Sequence, residues 1–376
     1  MDIDAAFQKA FAAHRAGRLA EAEVGYVAIV AVSEHPLSLH NLGVIRDGAG
    51  RIEEAGDAYR RAAGAAADDP RRQFALGVHL RMVRRLDEAE AAYRRTLALA
   101  PGYPKAAFDL GCVLVAQGRF DEGWALYEQR AARERMLARN LAVPEWRGEP
   151  LAGKRLYIWR EQGFGDQILA ARFLPLPGAQ RVTYAGQAPL RRLFEPLGVD
   201  FVEAAPAGPE PSGHDYWTLP LSLPHHLGAM AETLPSSPYL SGRAKPGGGR
   251  IGVVTRGAAD NPNDRFRALP PEAAERLCAL PGAISLDPAD TGAADFQDTA
   301  DIIAGLDLVI SVDTAVAHLA GAMGRPVWVL LARHALDWQW PREEPSPWYP
   351  SARLFVQPQA GDWASVVDQV VRDAAP

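Results

Sequence analysis

A step of 34 residues governs the first third of this 376-residue chain. Gly43, Gly77 and Gly111 keep it, as do Pro36, Pro70 and Pro104. Tyr26, Tyr59, Tyr93 and Tyr127 run at 33, 34 and 34, and Ala22, Ala55 and Ala89 move with the tyrosines. A period of that length, with small, aromatic and helix-breaking residues in fixed phase, marks stacked helical hairpins, none of which can bury its apolar face without a neighbour. The glycines fall where the first helix of a hairpin must approach its partner closely, and the tyrosines fill the wider gap along the second helix; Gly50 stands at a turn between helices. Four repeats are expected over about 4–135. Repeat one carries Ala10 in the glycine place and repeat four carries Gly123 in the alanine place, departures of the kind that cap the ends of a stack.

The length leaves room for two or three domains, each with its own core. Cys112 and Cys278 lie far apart within helical patterns, so two buried free thiols in a reducing, cytoplasmic setting are expected rather than a disulfide. The opening MDIDAAFQKAF has acids and no apolar run, which fits neither a secretion signal nor a membrane span, and no stretch of about 18 apolar residues follows. A net charge of −6 without a basic patch argues against nucleic acid as a partner.

Past the repeats the grammar changes. A segment broken by Pro144, Gly148, Pro150 and Gly153 reads as a connector over 136–153. Short apolar strands then alternate with helices: LYIW at 156–159, RVTYA at 181–185 and VDFVEA at 199–204, followed by a Pro- and Gly-rich stretch over 205–249. A second alternating set follows, RIGVVT, AISL, LDLVISV and PVWVLL, and the chain closes with an amphipathic helix. Two sets of strand–helix units predict two parallel-sheet lobes, 154–240 and 250–376, joined by a linker at 241–249 and facing each other across a cleft.

Three segments carry residues suited to chemistry. Gly163 and Gly165 follow the first strand and open a helix, where absent side chains allow close approach of a ligand and helix amides favour negative charge; Asp166 is expected at or near the N-cap. Asp313, Thr314, Ala315 and His318 follow the strand LDLVISV, the crevice position where open parallel sheets bind ligands. Free amides of the first turn, the Thr314 hydroxyl and the small Ala315 suit a diphosphate; Asp313, an anion, suits an orienting role, and a lone His318 is more often a hydrogen-bonded structural histidine. Between them the polar loop 260–267 offers Arg265 and Arg267, whose planar guanidinium donates two bonds at once to a departing phosphate.

The repeats, with Leu42-Gly43, Leu76-Gly77 and Leu110-Gly111, resemble the tetratricopeptide repeat. Taken in order, EQGFGD, NDRFRALP, DFQDTADIIAGLDLVISVDTAVAHLAGAMGRPVWVLL and DWQWPREEPSPWYPSARLF resemble a bacterial family in which such repeats precede a glycosyltransferase domain similar to the family 9 heptosyltransferases. The resemblance implies an α + α/β chain: a tetratricopeptide-repeat α-solenoid followed by a GT-B domain of two Rossmann-like lobes with a nucleotide-sugar in the cleft. It implies Asp166 as general base and donor contacts from Gly163, Gly165, Arg265, Arg267, Asp313, Thr314, Ala315 and His318. Ala315 stands where the heptosyltransferases have glycine, arginines replace their basic-loop lysine, and Thr255, Arg256, Gly257 and Ala258 replace a Trp and Ala-Gly-Asn found in repeat-bearing relatives.

The expected reaction is an inverting transfer with no cofactor and no metal, the nucleotide-sugar serving as co-substrate. The sole Asp-x-Asp, Asp2-Ile3-Asp4, lies at a start with a disordered look rather than at a strand end. The solenoid's concave face suits an extended peptide or a partner helix, so a protein acceptor is expected, with flagellin or another surface protein suggested by analogy with repeat-bearing flagellin glycosyltransferases. Two alternatives stand beside this: a non-catalytic repeat adaptor with a relic GT-B domain, and a sugar transferase of the lipopolysaccharide type.

Overall fold

The structure, a computed structural model, describes residues 1–204, 211–235, 238–244, 251–258, 264–333, 338–340 and 345–374. The later part of the expected linker, 245–249, lies outside them. The chain divides into two compact units, Met1–Gln117 and Gly118–Pro376.

The first unit is a succession of antiparallel hairpins: α1 (Ile3–Arg15) with α2 (Leu19–Val30), α3 (Pro36–Gly48) with α4 (Ile52–Ala65), α5 (Pro70–Met82) with α6 (Leu86–Leu99), then α7 (Pro104–Ala116). The periodic prolines open α3, α5 and α7 from the first turn, where the missing N–H has no partner to lose. A Cβ on Gly43 would stand 2.7 Å from the Tyr59 ring, and one on Gly77 would stand 2.7 Å from that of Tyr93. Small therefore meets large inside the α3–α4 and α5–α6 hairpins. Repeat one reverses the arrangement, with Ala10 against Gly25, whose Cβ would lie 2.8 Å from that of Ala10.

The turn residues Gly17, Gly50 and Arg84 all take left-handed φ, at 75°, 74° and 63°, and Arg84 does so without glycine's freedom. Arg18, Arg51 and Arg85 next to them cap α2, α4 and α6, each paired with the glutamate three residues on. The start of the chain is ordered rather than irregular. Asp2 caps α1 by accepting the Ala5 N–H at 3.1 Å.

The second unit holds α8 (Phe120–Tyr127), α9 (Ala131–Leu137) and two lobes. The N-lobe runs β1 (Arg155–Trp159), α10 (Phe164–Ala170), β2 (Arg181–Gly186), α11 (Arg191–Phe194), β3 (Asp200–Glu203), β4 (Tyr216–Thr218) and α12 (Leu223–His226). Its strands are parallel in the order β3-β2-β1-β4. The C-lobe runs β5 (Ile251–Val254), α13 (Asp264–Arg267), α14 (Pro271–Cys278), β6 (Ala283–Ser285), α15 (Pro288–Thr291), α16 (Phe296–Ile303), β7 (Leu308–Val312), α17 (Ala315–Ala322), β8 (Val327–Leu331), β9 (Ala352–Val356) and α18 (Trp363–Ala374), with all strands parallel in the order β6-β5-β7-β8-β9. The chain is thus helical repeats followed by paired α/β lobes.

Residues read from the sequence as a connector are built into the N-lobe. Met136, Leu141 and Val143 pack on Tyr157, Trp159 and Trp217, covering one face of its small sheet. Trp146 donates its N–H to the Trp217 carbonyl at 2.7 Å, and Trp217 returns a bond to Pro144 at 3.0 Å, so 144–146 runs beside β4. The closing helix α18 packs through Val366, Val367 and Val370 into the C-lobe core with Ile251, Val253 and Leu277. Cys112 is buried and Cys278 exposed, both as free thiols; the expectation that both are buried fails because Cys278 sits on the outward face of α14, next to the buried Leu277.

Candidate functional site

The loop after β1 is gripped before it reaches its glycines. Glu161 is buried, and Arg130 donates to both its oxygens at 2.7 and 2.9 Å while the Leu221 N–H adds a third bond at 2.9 Å. The same guanidinium reaches Glu128 at 2.6 Å and the Ser222 hydroxyl at 2.7 Å. Gln162 holds a left-handed φ of 58°, a strained state for a side chain with a Cβ, and its amide donates to the Tyr127 hydroxyl at 2.8 Å. Glu161 and Gln162 are therefore fastened to α8 and its sequel rather than left to a ligand.

Gly163 is the N-cap of α10, and Asp166 sits at its third position instead of at the cap. The Gly163 N–H donates back to Asp166 Oδ2 at 3.1 Å, and Gln339 Nε2 donates to Oδ1 at 2.6 Å. Helix α10 lies against α17 across the lobes. Gly165 is glycine for a reason the sequence does not show: a Cβ there would stand 2.7 Å from His318 Cδ2, so the space serves a neighbouring ring. Phe164 against Phe296 at 5.0 Å, and Arg192 donating to Asp295 and Asp298 at 3.0–3.1 Å, also join the lobes.

Strand β7 delivers Asp313 and Thr314 to the start of α17, with Thr314 as N-cap and Ala315 as first helical residue. The Thr314 hydroxyl makes no cap bond and lies 3.0 Å from that of Ser311. Asp313 Oδ1 accepts the Trp340 indole N–H at 2.7 Å. His318 is 3% exposed; its Nδ1 lies 3.1 Å from the Tyr349 hydroxyl, its ring leans on Trp340 at 4.8 Å, and Nε2 stands 3.9 Å from Asp313 Oδ1. Burial, with the Arg172 and Arg267 charges adding to it, pushes the His318 pKa down from 6.5 to about 3.

His318 thus stays neutral in the folded state. As pH falls below 6.5 the unfolded chain takes up a proton that the folded chain refuses until about 3, so stability is intact above that window and lost downwards through it. The loss expected from this one group is up to about 1.4 kcal/mol per pH unit. His318→Gln should flatten the dependence of the urea midpoint on pH between those limits; an unchanged slope would show the proton binds elsewhere.

Of the basic loop, Asp260 to Asn263 lie outside the described residues. Arg265 is exposed with its guanidinium 4.5 Å over its neighbour Phe266, whereas Arg267 is half-buried and donates to Asp264 at 3.2 Å. Asp264 also accepts the Gly257 N–H at 2.8 Å, and a Cβ on Gly257 would collide with Arg267 at 2.5 Å. Of the two loop arginines, Arg267 is the one whose charge, after that of Arg172, lowers the His318 pKa.

Three residues escaped the sequence reading: Gln339, Trp340 and Tyr349. Their signal is the tryptophan density of DWQWPREEPSPWYP, which carries no information about which residues each one meets. Arg172 is a fourth. It is buried among the rings of Tyr239, Trp348 and Tyr349 at 4.9–5.3 Å and donates to the carbonyls of Leu169 and Trp348.

The two lobes thus bring the start of α10, with Asp166, and the start of α17, with Asp313, onto adjacent residues of one segment, Gln339 and Trp340. Residues 287–355, which include Asp313 to His318 and the tryptophan-rich segment, match glycosyltransferase family 9 (heptosyltransferase). Protein FlbA of Caulobacter vibrioides is 28% identical over 60% of this chain and 47% of its own length, so the chain spans about half of that relative. Among solved structures, MamA aligns at 19% identity with a TM-score of 0.34, over 37% of this chain and 81% of that one. The Yersinia enterocolitica type III secretion chaperone SycD, solved with a peptide of the translocator YopD, aligns at 19% identity with a TM-score of 0.29, over 30% and 93%. Among the described residues no helix is long and apolar enough to cross a membrane.

Proposed function

We propose that this protein transfers a sugar, with inversion and without a metal, from a nucleotide-sugar to a hydroxyl of a protein acceptor held by its repeats, a cytoplasmic reaction on a substrate such as flagellin or another surface protein. One observation carries the reading: α10 and α17 meet so that Asp166 and Asp313 are held by adjacent residues, Gln339 and Trp340, of one segment. In this reading an Asp166 carboxylate oxygen takes the acceptor proton as the hydroxyl oxygen bonds to the anomeric carbon. The bond from that carbon to phosphate breaks with its electron pair, and Arg267 and the first amides of α17, with Thr314 and Ala315 leaving room, take the developing charge. Arg265 lies on the outer side of the same loop, and Gly163 and Gly165 set the backbone from which Asp166 projects. His318, enclosed and neutral, forms the floor beneath Asp313 rather than a cationic contact.

Asp166→Asn should lower transfer by about 100- to 10,000-fold while leaving nucleotide binding in place. The measurement is sugar incorporation from a panel of nucleotide-sugars into protein of a cell extract, with nucleotide affinity by calorimetry. A second reading, a repeat adaptor with a relic site, is favoured by the engagement of Asp166 Oδ2 in the bond from the Gly163 N–H that a helix start alone would use. Equal incorporation with aspartate and asparagine, or no binding of any nucleotide, would decide for it.

A further inference from the structure

Gln339 is 3% exposed and donates its amide to Asp166 at 2.6 Å. The orientation follows from chemistry, since turning the amide would set its oxygen against a carboxylate oxygen. Asp166 is already tied at Oδ2 by the Gly163 N–H at 3.1 Å. Bonds to both oxygens fix the plane of the carboxylate more closely than either bond does alone.

The two flanking tryptophans hold Gln339 from opposite sides. Trp338 packs edge-on against Trp124 at 5.3 Å, Tyr127 at 5.8 Å and Trp348 at 5.3 Å, which ties it to α8. Trp340 is fully buried, bonded to Asp313 and leaning on His318, which ties it to α17. A side chain with both neighbours immobilised gives up little further freedom in making its own bond.

We propose that Gln339 is a positioning residue that aims the Asp166 carboxylate at the acceptor hydroxyl, held in place by Trp338 and Trp340. The inference rests on the reading of Asp166 as the base. Gln339→Met keeps the volume and removes the donor; Gln339→Glu keeps the shape and sets a second carboxyl against the first.

The test follows Asp166 directly, by carbon-13 NMR of full-length protein labelled at the aspartate carboxyls, with the resonance assigned by its loss in Asp166→Asn. Removing a donor to the charged form should raise the titration midpoint of Asp166 by about one pH unit in the Met variant. The Glu variant should raise it further, because two touching carboxyls share one proton. In parallel, kcat for sugar transfer should fall about 10- to 100-fold in the Met variant with donor KM unchanged within about twofold, as lost orientation predicts.

Thermal unfolding and near-ultraviolet circular dichroism confirm that each variant is folded. An unmoved midpoint in both folded variants overturns the proposal, as does a moved midpoint with wild-type kcat. If wild-type protein transfers no sugar from any donor and the midpoint still moves, the positioning of Asp166 stands and its role as base is what falls.

Discussion

Arg130→Met should remove about 3–5 kcal/mol from the stability of the α/β unit. The side chain is 2% exposed and is shared by Glu161, Glu128 and Ser222 at 2.6–2.9 Å. Burial alone would lower the pKa of the guanidinium, but the two carboxylates and the nearby Tyr127 outweigh it and hold the group above its ordinary value. Without the cation, Glu161 keeps one N–H, from Leu221 at 2.9 Å, and Glu128 keeps Ser222 and Arg133 at 2.9 and 3.0 Å, which leaves net negative charge inside the lobe.

The local consequence should reach the site. With Arg130 gone, the loop loses the anchor next to Gln162, whose φ of 58° persists only while its surroundings enforce it. The loss would be read from urea unfolding followed by tryptophan fluorescence. The double variant Arg130→Met with Glu161→Met should recover part of it, because an apolar pair carries no unpaired charge. A loss below about 1 kcal/mol, the range of exposed pairs, would mean that water reaches the network.

That network also marks where the sequence stopped being readable. The hairpins were legible because each fills its own gap: a glycine at 43 predicts a ring at 59 by spacing alone, and the structure puts them together. Strands β1, β2, β5, β7 and β8 were legible as apolar runs covered on both faces. Strand β4, three residues inside a Pro- and Gly-rich stretch, and β9, inside the tryptophan-rich tail, were not, since each owes its place to a neighbour already in the sheet. Residues 136–146 looked like a connector because prolines and glycines break the pattern; they cover the N-lobe through scattered contacts that have no period.

The candidate site divides in the same way. Asp166, Asp313 and Thr314 could be found because strand-to-helix junctions announce themselves locally. Their partners could not, because Gln339 lies 173 residues from Asp166 and the bond is a property of the folded lobes alone. Arg265 and Arg267 likewise differ in direction: two residues apart in one short helix, one lies over Phe266 and the other folds onto Gly257.

Gly165→Ala should damage the site where Gly163→Ala does not, although both glycines belong to one motif. At Gly165 the new Cβ would meet His318 at 2.7 Å from Cδ2 and 3.2 Å from Nε2. The ring has nowhere to retreat, for it is buried between Trp340 and Tyr349 and bonded to the latter at 3.1 Å. Overpacking of this kind costs about 1–3 kcal/mol, and relief by parting α10 from α17 would carry Asp166 away from Gln339. Transfer should therefore fall more than stability does, by about 100-fold for a displacement near 1 Å.

Gly163 has φ −79° and ψ 176°, open to any residue, and its Cβ would lie 3.4 Å from Asp166 Oδ2, an ordinary contact. Alanine there should stay within about 0.5 kcal/mol of the parent and keep its activity. Gly165→Ala combined with His318→Ala tests the cause, because removing the ring removes the collision: nucleotide affinity and the thermal midpoint should both rise from the single-alanine values. Equal effects of the two single alanines, or no recovery in the pair, would show that Gly165 serves the ligand and not the histidine.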